Sequence, residues 1–169
     1  MKNFAPLLSA AFAQGKDAAA LVQKSAAQMA ADLRADVLAR HRVAAIRRDD
    51  RVVVVRRPDG GEFELGYSRL VLAIGADPRP YWVEGCEEAD IRTVNDLDDY
   101  AAWRAALKPG ARVLLVGAGL IGSEFANDLA ASGHKVTVID PAPWPLGRLL
   151  PQSLGEEMAT ALRDAGVTL

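Results

Sequence analysis

The sequence predicts an α/β protein in which an antiparallel β-meander precedes a parallel strand–helix–strand unit. Two observations predict it. "VAAI" (43–46), "VVVV" (52–55) and "EFEL" (62–65) are short β-prone runs separated by the turn sequences "RRDDR" and "PDGG", the pattern of consecutive hairpins. Further on, "RVLLVGAGLIGSEFANDLAASGHKVTVID" (112–140) sets an apolar run, a glycine-rich turn, a helical pattern and a second apolar run in succession, as in parallel sheets. Half of the 169 residues are hydrophobic, enough for the core of one soluble globular domain, or somewhat more.

In chain order, Asp17 is the expected N-cap of a helix reaching about Ala35, with Leu21, Val22, Met29, Ala30 and Leu33 sharing a face that reads as packing. The meander follows. "RLVLAIG" (69–75) reads as a buried strand ending on glycine, and "ADPRPYWVEG" (76–85) as a proline-rich connection near a change of unit. "NDLDDYAAWRAAL" (95–107) is a helix that "PG" ends, after which the strand–helix alternation begins.

The net charge of −2 provides no global attraction to nucleic acid or anionic membranes. Its sign is unevenly spread. Arg40, Arg42, Arg47, Arg48, Arg51, Arg56 and Arg57 crowd one region, and Glu84, Glu87, Glu88, Asp90, Asp96, Asp98 and Asp99 another; both read as solvated faces. The lone Cys86 forms no internal disulfide, cysteine-pair redox centre or cysteine metal site, and points to a reducing, cytoplasmic setting. No metal-ligand pattern, secretory signal or bilayer-length apolar run is present in the sequence.

A GxGxxG alone is a weak signal, but Gly117, Gly119 and Gly122 follow the strand "RVLLV", open an apolar helix and lead to a second strand, "KVTVI". In such a turn the first glycine permits the tight bend, the second lets a pyrophosphate approach the backbone, and the third lets helix and strand pack. The helix N-terminus adds N–H groups and positive dipole. Asp140 ends the second strand eighteen residues after Gly122, where a carboxylate accepts the ribose hydroxyls and repels a 2′-phosphate, favouring NADH over NADPH. The competing reading is a glycine-rich turn with a surface aspartate. Glu124 admits two readings as well: a solvated helix residue, or a carboxylate aimed at the reacting end of a cofactor.

"VGAGLIGSEFANDLAASG", preceded by "VNDLDDYAAWR" and "YSRLVLAIGADPRP", resembles the FAD-dependent pyridine nucleotide-disulfide oxidoreductases, most closely the bacterial rubredoxin reductase branch. The likeness extends to the opening "PLLSAAFAQGKDAAALVQKSAAQMAADLRADVLARHRVAAI". It implies part of a two-domain, Rossmann-like FAD/NAD(P)-binding fold, with residues 1–105 the later part of the FAD domain and 106–169 the first half of the NAD domain. Gly117, Gly119, Leu120, Ile121, Gly122 and Asp140 match the family's NAD site. Val43 matches the position whose backbone meets the FAD adenine, Ala73 and Gly75 flank the family's ATG position, and Glu124 matches a glutamate beside the flavin ring. Two positions depart from the pattern: Ala5 stands where a lysine or arginine precedes Pro6, with Lys2 nearby, and Ile74 replaces the ATG threonine.

The resemblance implies an enzyme that takes electrons from NADH through FAD to rubredoxin or a similar small iron–sulfur protein, with orientation and electrostatics as the protein's share of the chemistry. No residue here is assigned a catalytic role of its own. The alternatives are another flavoprotein reductase, such as a ferredoxin reductase, a nitrite reductase component or an NADH oxidase, or an inactive nucleotide-binding fragment. The family's first FAD-binding glycine loop and its later glycine–aspartate motif have no counterpart in the sequence, and "AGVTL" falls where a third strand of the NAD sheet is expected. The expectation is therefore an internal piece of a longer reductase with apolar sheet faces left uncovered.

Overall fold

A computed structural model describes residues 10–79, 83–85 and 91–169. Lys2, Ala5, Pro6, Cys86, Glu87, Glu88 and Asp90 lie outside the described residues. The chain divides into two compact units, one formed by Val22–Ile74 and the other by the residues up to Leu21 together with Gly75–Leu169.

The Val22–Ile74 unit holds the expected meander. β1 (Arg42–Arg47), β2 (Val52–Arg56) and β3 (Glu62–Gly66) pair antiparallel in the order β1-β2-β3, with a bulge in β1 between Val43 and Ala45. Alternation along β2 buries Val53 and Val55. Arg51 takes a left-handed φ of 52° in the first turn and Gly60 one of 89° in the second, where the Asp59 carboxylate accepts the Gly61 N–H at 2.9 Å. The arginines are less simply solvated than their density suggests. Arg56 donates to its cross-strand partner Glu62 at 2.8 and 3.0 Å, Arg47 pairs with Glu64, and the Arg57 guanidinium lies 4.5 Å from the Phe63 ring centroid. Exposed pairs of this kind contribute about 0–1 kcal/mol each, so they refine the register more than they stabilise it.

Two expectations for the flanks of the meander are corrected. The single helix from Asp17 to Ala35 is instead a 3-10 turn (Ala19–Leu21), whose Ala20 N–H is held by Asp17, and a separate helix α1 (Ala26–Leu33). Ser25 causes the break. Its hydroxyl accepts the Gln28 N–H while the Gln28 side chain accepts the Ser25 N–H, a capping box that starts a new helix and requires extended backbone at Ser25. Of the expected packing face, Leu21 is buried and Met29 and Ala30 are half-buried, while Val22 and Leu33 are 48% and 61% exposed and no residue of α1 is fully buried. The second correction is 69–75, which forms no strand: Val71, Leu72 and Ile74 are 84%, 64% and 77% exposed. An apolar run becomes a strand only when a neighbouring backbone takes up its N–H and C=O groups, and no strand pairs with it among the described residues.

In the other unit, α2 (Leu97–Ala106) begins where Asp96 accepts the Asp98 and Asp99 N–H groups at 3.0 and 2.9 Å. Asp98 and Asp99 in its first turn and Arg104 in its last suit the helix dipole. β4 (Arg112–Val116), α3 (Leu120–Ala131) and β5 (Lys135–Ile139) form the expected parallel unit, with Val113 opposite Val136 and Leu115 opposite Val138. α4 (Gln152–Asp164) then leads to Thr168, which bridges Thr137 in the parallel sense. Ala126, Leu129, Val136, Val138, Leu162 and Val167 form the core beneath α3 and α4. The opposite sheet face is open: Leu114, Val116 and Ile139 are 58%, 51% and 47% exposed, whereas parallel sheets are ordinarily covered on both faces.

Residues 11–21 pack into this same unit. Ala11, Leu21, Tyr100 and Phe125 form a second cluster, and Phe12 meets Tyr100 and Trp103 edge-on at 5.4 and 4.9 Å. Asp128, buried on α3, accepts the Phe12 and Ala13 N–H groups at 2.8 Å each. The Tyr100 hydroxyl donates to the Lys16 carbonyl and accepts from Arg104, both at 2.9 Å.

Candidate functional site

Each glycine of the turn between β4 and α3 has its own physical reason. Gly117 has φ 110°, where a side chain is strained, and its N–H donates to the Ile139 carbonyl at 2.8 Å. A Cβ on Gly122 would overlap the Gly117 carbonyl oxygen and lie 3.0 Å from its carbon, so only glycine lets α3 sit this close to the turn. At Gly119 the φ is an ordinary −75°, and an added Cβ meets nothing within 4 Å. Gly119 is also the N-cap of α3 and offers no side-chain cap to the first-turn N–H groups. Those groups, together with the dipole, make an anion cradle open at the second glycine.

Ala118, between the first two glycines, is held at both of its peptide groups. Its N–H donates to Asp140 Oδ2 at 2.7 Å, and its carbonyl accepts the Leu146 N–H at 2.8 Å and the Ser123 hydroxyl at 3.3 Å. Asp140 Oδ1 accepts the Ala142 N–H at 2.7 Å. The Ala118 bond first, and then the Ala142 bond, hold the Asp140 carboxyl below the usual carboxylate range, so it is charged at neutral pH. A carboxylate offers about four lone-pair sites, and both oxygens keep capacity for further donors.

Two clefts adjoin the turn. One of about 160 Å³ is lined by Ala118, Asp140, Trp144 and Arg163, the other of about 280 Å³ by Leu120, Ser123, Glu124, Leu146 and Met158. The fold thus gathers Gly117, Gly119, Leu120, Ile121, Gly122, Glu124 and Asp140 around one turn. Leu120 and Ile121 are 58% and 50% exposed in the first turn of α3. Val43 and Ala73 belong to the Val22–Ile74 unit, Val43 on the edge strand β1 at its bulge, 54% exposed. Gly75 opens the second stretch of the other unit with φ 68°. Among the described residues no group of His, Cys, Asp or Glu could hold a metal ion.

The family model for pyridine nucleotide-disulphide oxidoreductases matches residues 1–169. The chain belongs to this family. Among curated relatives of the chain, a rubredoxin-NAD(+) reductase of Acinetobacter baylyi is 40% identical over 98% of the chain and 42% of the relative. A nitric oxide reductase FlRd-NAD(+) reductase of Aeromonas hydrophila is 38% identical over 97% of the chain and 40% of the relative. The crystal structure of the covalent putidaredoxin reductase–putidaredoxin complex shares the fold with TM-score 0.79 and 31% identity, over 96% of this chain and 39% of that one. The chain therefore spans about two fifths of the length of the proteins it matches. The α/β fold with its antiparallel meander is that of FAD/NAD-binding reductases.

Asp128 and Leu146 were missed in the sequence. Asp128 carried a signal, since it stands on the same helical face as Phe125 and Leu129, both buried, and a carboxylate there needs partners. Leu146 carried none: its left-handed φ of 59° is unexpected for leucine and is imposed by the loop around it.

Proposed function

We propose that the protein carrying this chain is an FAD-dependent NADH oxidoreductase that passes electrons through the flavin to a small redox protein such as rubredoxin. The observation that carries this reading is the cradle at Gly119 with a charged Asp140 held beside it. The N–H groups of Leu120, Ile121 and Gly122 bind the pyrophosphate, with Gly117 shaping the bend. Asp140 orients the adenosine ribose and repels a 2′-phosphate, which favours NADH. Glu124 orients the reacting ends of the two cofactors. Val43, Ala73 and Gly75 contribute backbone to the FAD site, residues 1–105 serving the flavin and 106–169 the nicotinamide nucleotide. Bound FAD supplies the conversion of hydride transfer into single-electron transfer.

The relatives' names support a small redox protein as acceptor, and both rubredoxin and flavorubredoxin fit them; a reducing cytoplasm suits such carriers. No helix among the described residues is long and apolar enough to cross a membrane. The test is stopped-flow reduction of the full-length protein by NADH and NADPH, followed by turnover with rubredoxin, a [2Fe–2S] ferredoxin, nitrite reductase and oxygen. Flavin bleaching by NADH with fastest turnover on rubredoxin is expected. Absence of bound flavin or of bleaching would defeat the reading and favour an inactive nucleotide-binding protein.

A further inference from the structure

The loop between β5 and α4 is wound around one side chain. A Cβ on Gly155 would overlap Trp144 Cδ1 and lie 2.5 Å from Cγ and 2.7 Å from Nε1. A Cβ on Gly147 would lie 3.0 Å from Ala142 Cβ and 3.1 Å from the Trp144 carbonyl oxygen. The indole is thus seated directly on the backbone of α4, and its Nε1–H donates to the Leu150 carbonyl at 3.2 Å. Inside the loop, the Leu149 and Leu150 N–H groups both donate to the Leu146 carbonyl, at 2.7 and 2.9 Å. Leu146 is held in the left-handed region, and its own N–H reaches out to the Ala118 carbonyl at 2.8 Å.

We propose that Trp144, seated on Gly155, is a positioning residue for the nucleotide turn: it anchors the 140–151 loop to α4 so that Leu146 holds Ala118. Gly155 must be glycine for that seat to exist. A leucine leaves φ 59° readily unless its surroundings over-determine it, and Trp144 and its contacts are the surroundings that do so. The turn is consequently fixed from two sides, by Asp140 at the Ala118 N–H and by the Trp144-anchored loop at the Ala118 carbonyl. The consequence for NADH rests on the function proposed above; the positioning itself does not.

The experiment compares Gly155→Ala, Trp144→Ala and the double variant in the full-length protein. Hydrogen–deuterium exchange is followed in peptides covering 117–121 and 144–150, alongside the NADH dissociation constant and the split between KM and kcat. Each single variant is expected to speed exchange in both segments. Each should also raise the NADH dissociation constant about tenfold, the equivalent of about 1.4 kcal/mol, with kcat at saturating NADH little changed. The double variant should be no worse than Trp144→Ala, because Gly155→Ala acts only through the indole. Wild-type exchange at 117–121 in both single variants, or additive losses in the double, would overturn the proposal. If the wild type binds no NADH, the functional reading fails, while faster exchange at 117–121 in the variants still supports the positioning role.

Discussion

Asp140 Oδ2 accepts the Ala118 N–H at 2.7 Å, so the carboxylate that closes β5 also holds the centre of the glycine turn that follows β4. One side chain thereby joins the two ends of the candidate dinucleotide site. Its low proton affinity comes from the same contact.

Asp140→Ala in the full-length protein should therefore do two things. It should raise KM for NADH by about 10- to 100-fold, the equivalent of the roughly 1.5–3 kcal/mol of hydrogen bonds to a charged group. It should also narrow the preference over NADPH, because the repulsion of a 2′-phosphate disappears. Steady-state kinetics with both cofactors read the two effects together, and unchanged discrimination would remove Asp140 from the ribose site.

Glu124 lies on α3 beside the larger cleft. Glu124→Gln should slow flavin reduction by NADH several-fold while the melting temperature stays within a degree or two, since exposed substitutions ordinarily cost less than about 0.5 kcal/mol. Stopped-flow bleaching and thermal melts are the paired measurements. A wild-type reduction rate would leave Glu124 an ordinary helix residue.

Asp128 and Asp140 are displaced in opposite directions, and their contributions to stability depend on pH with opposite sign. Burial pushes Asp128 up, against the Ala13 and Phe12 N–H bonds that pull it down. The stability linked to its titration is full below the ordinary aspartate range and is lost as pH rises through its raised value. Asp140 is lowered, so its contribution is full above the ordinary range and is lost as pH falls through its depressed value. Asp128→Asn sets an amide NH₂ against one of the two N–H donors and should cost about 1–3 kcal/mol. The difference from wild type should shrink as pH rises through the raised value. Urea unfolding across acidic pH measures it, and a difference that grows with pH would contradict the assignment.

Val71, Leu72 and Ile74 stand exposed in succession, and apolar patches of this kind drive association. The 169-residue chain on its own should self-associate with rising concentration. The double substitution Val71→Asp, Ile74→Asp should shift it toward the monomer. Light scattering after gel filtration distinguishes the two, and identical behaviour would place the association elsewhere.

The meander, α2 and the parallel β4–α3–β5 unit were legible because their signals are local. Valine runs between Asp–Asp and Asp–Gly turns specify hairpins, Asp96 specifies where α2 starts, and Gly117, Gly119 and Gly122 specify a turn whose three demands are satisfied within a few residues. The break at Ser25 is equally local, since the Ser25–Gln28 box is present in the sequence, but the apolar spacing from Leu21 to Leu33 runs across it with the period of one helix. For 69–75 the limit was different. Periodicity identifies an apolar extended run, but a strand exists only through a partner backbone, and the run itself does not specify one.

The sequence by itself determined the glycine turn and the acid that closes β5, because backbone geometry and residue spacing impose those, and its resemblance to the pyridine nucleotide-disulphide oxidoreductases carried the family. Only the tertiary structure decided which distant partners brace the turn and the helix that follows it. Asp128 receives the Phe12 N–H across 116 residues, Ala118 receives Leu146 from a loop with no secondary structure of its own, and Trp144 finds its seat on a helix glycine eleven positions away. Such contacts depend on how separate elements pack, where shape and orphaned hydrogen-bonding groups select partners that no local pattern encodes.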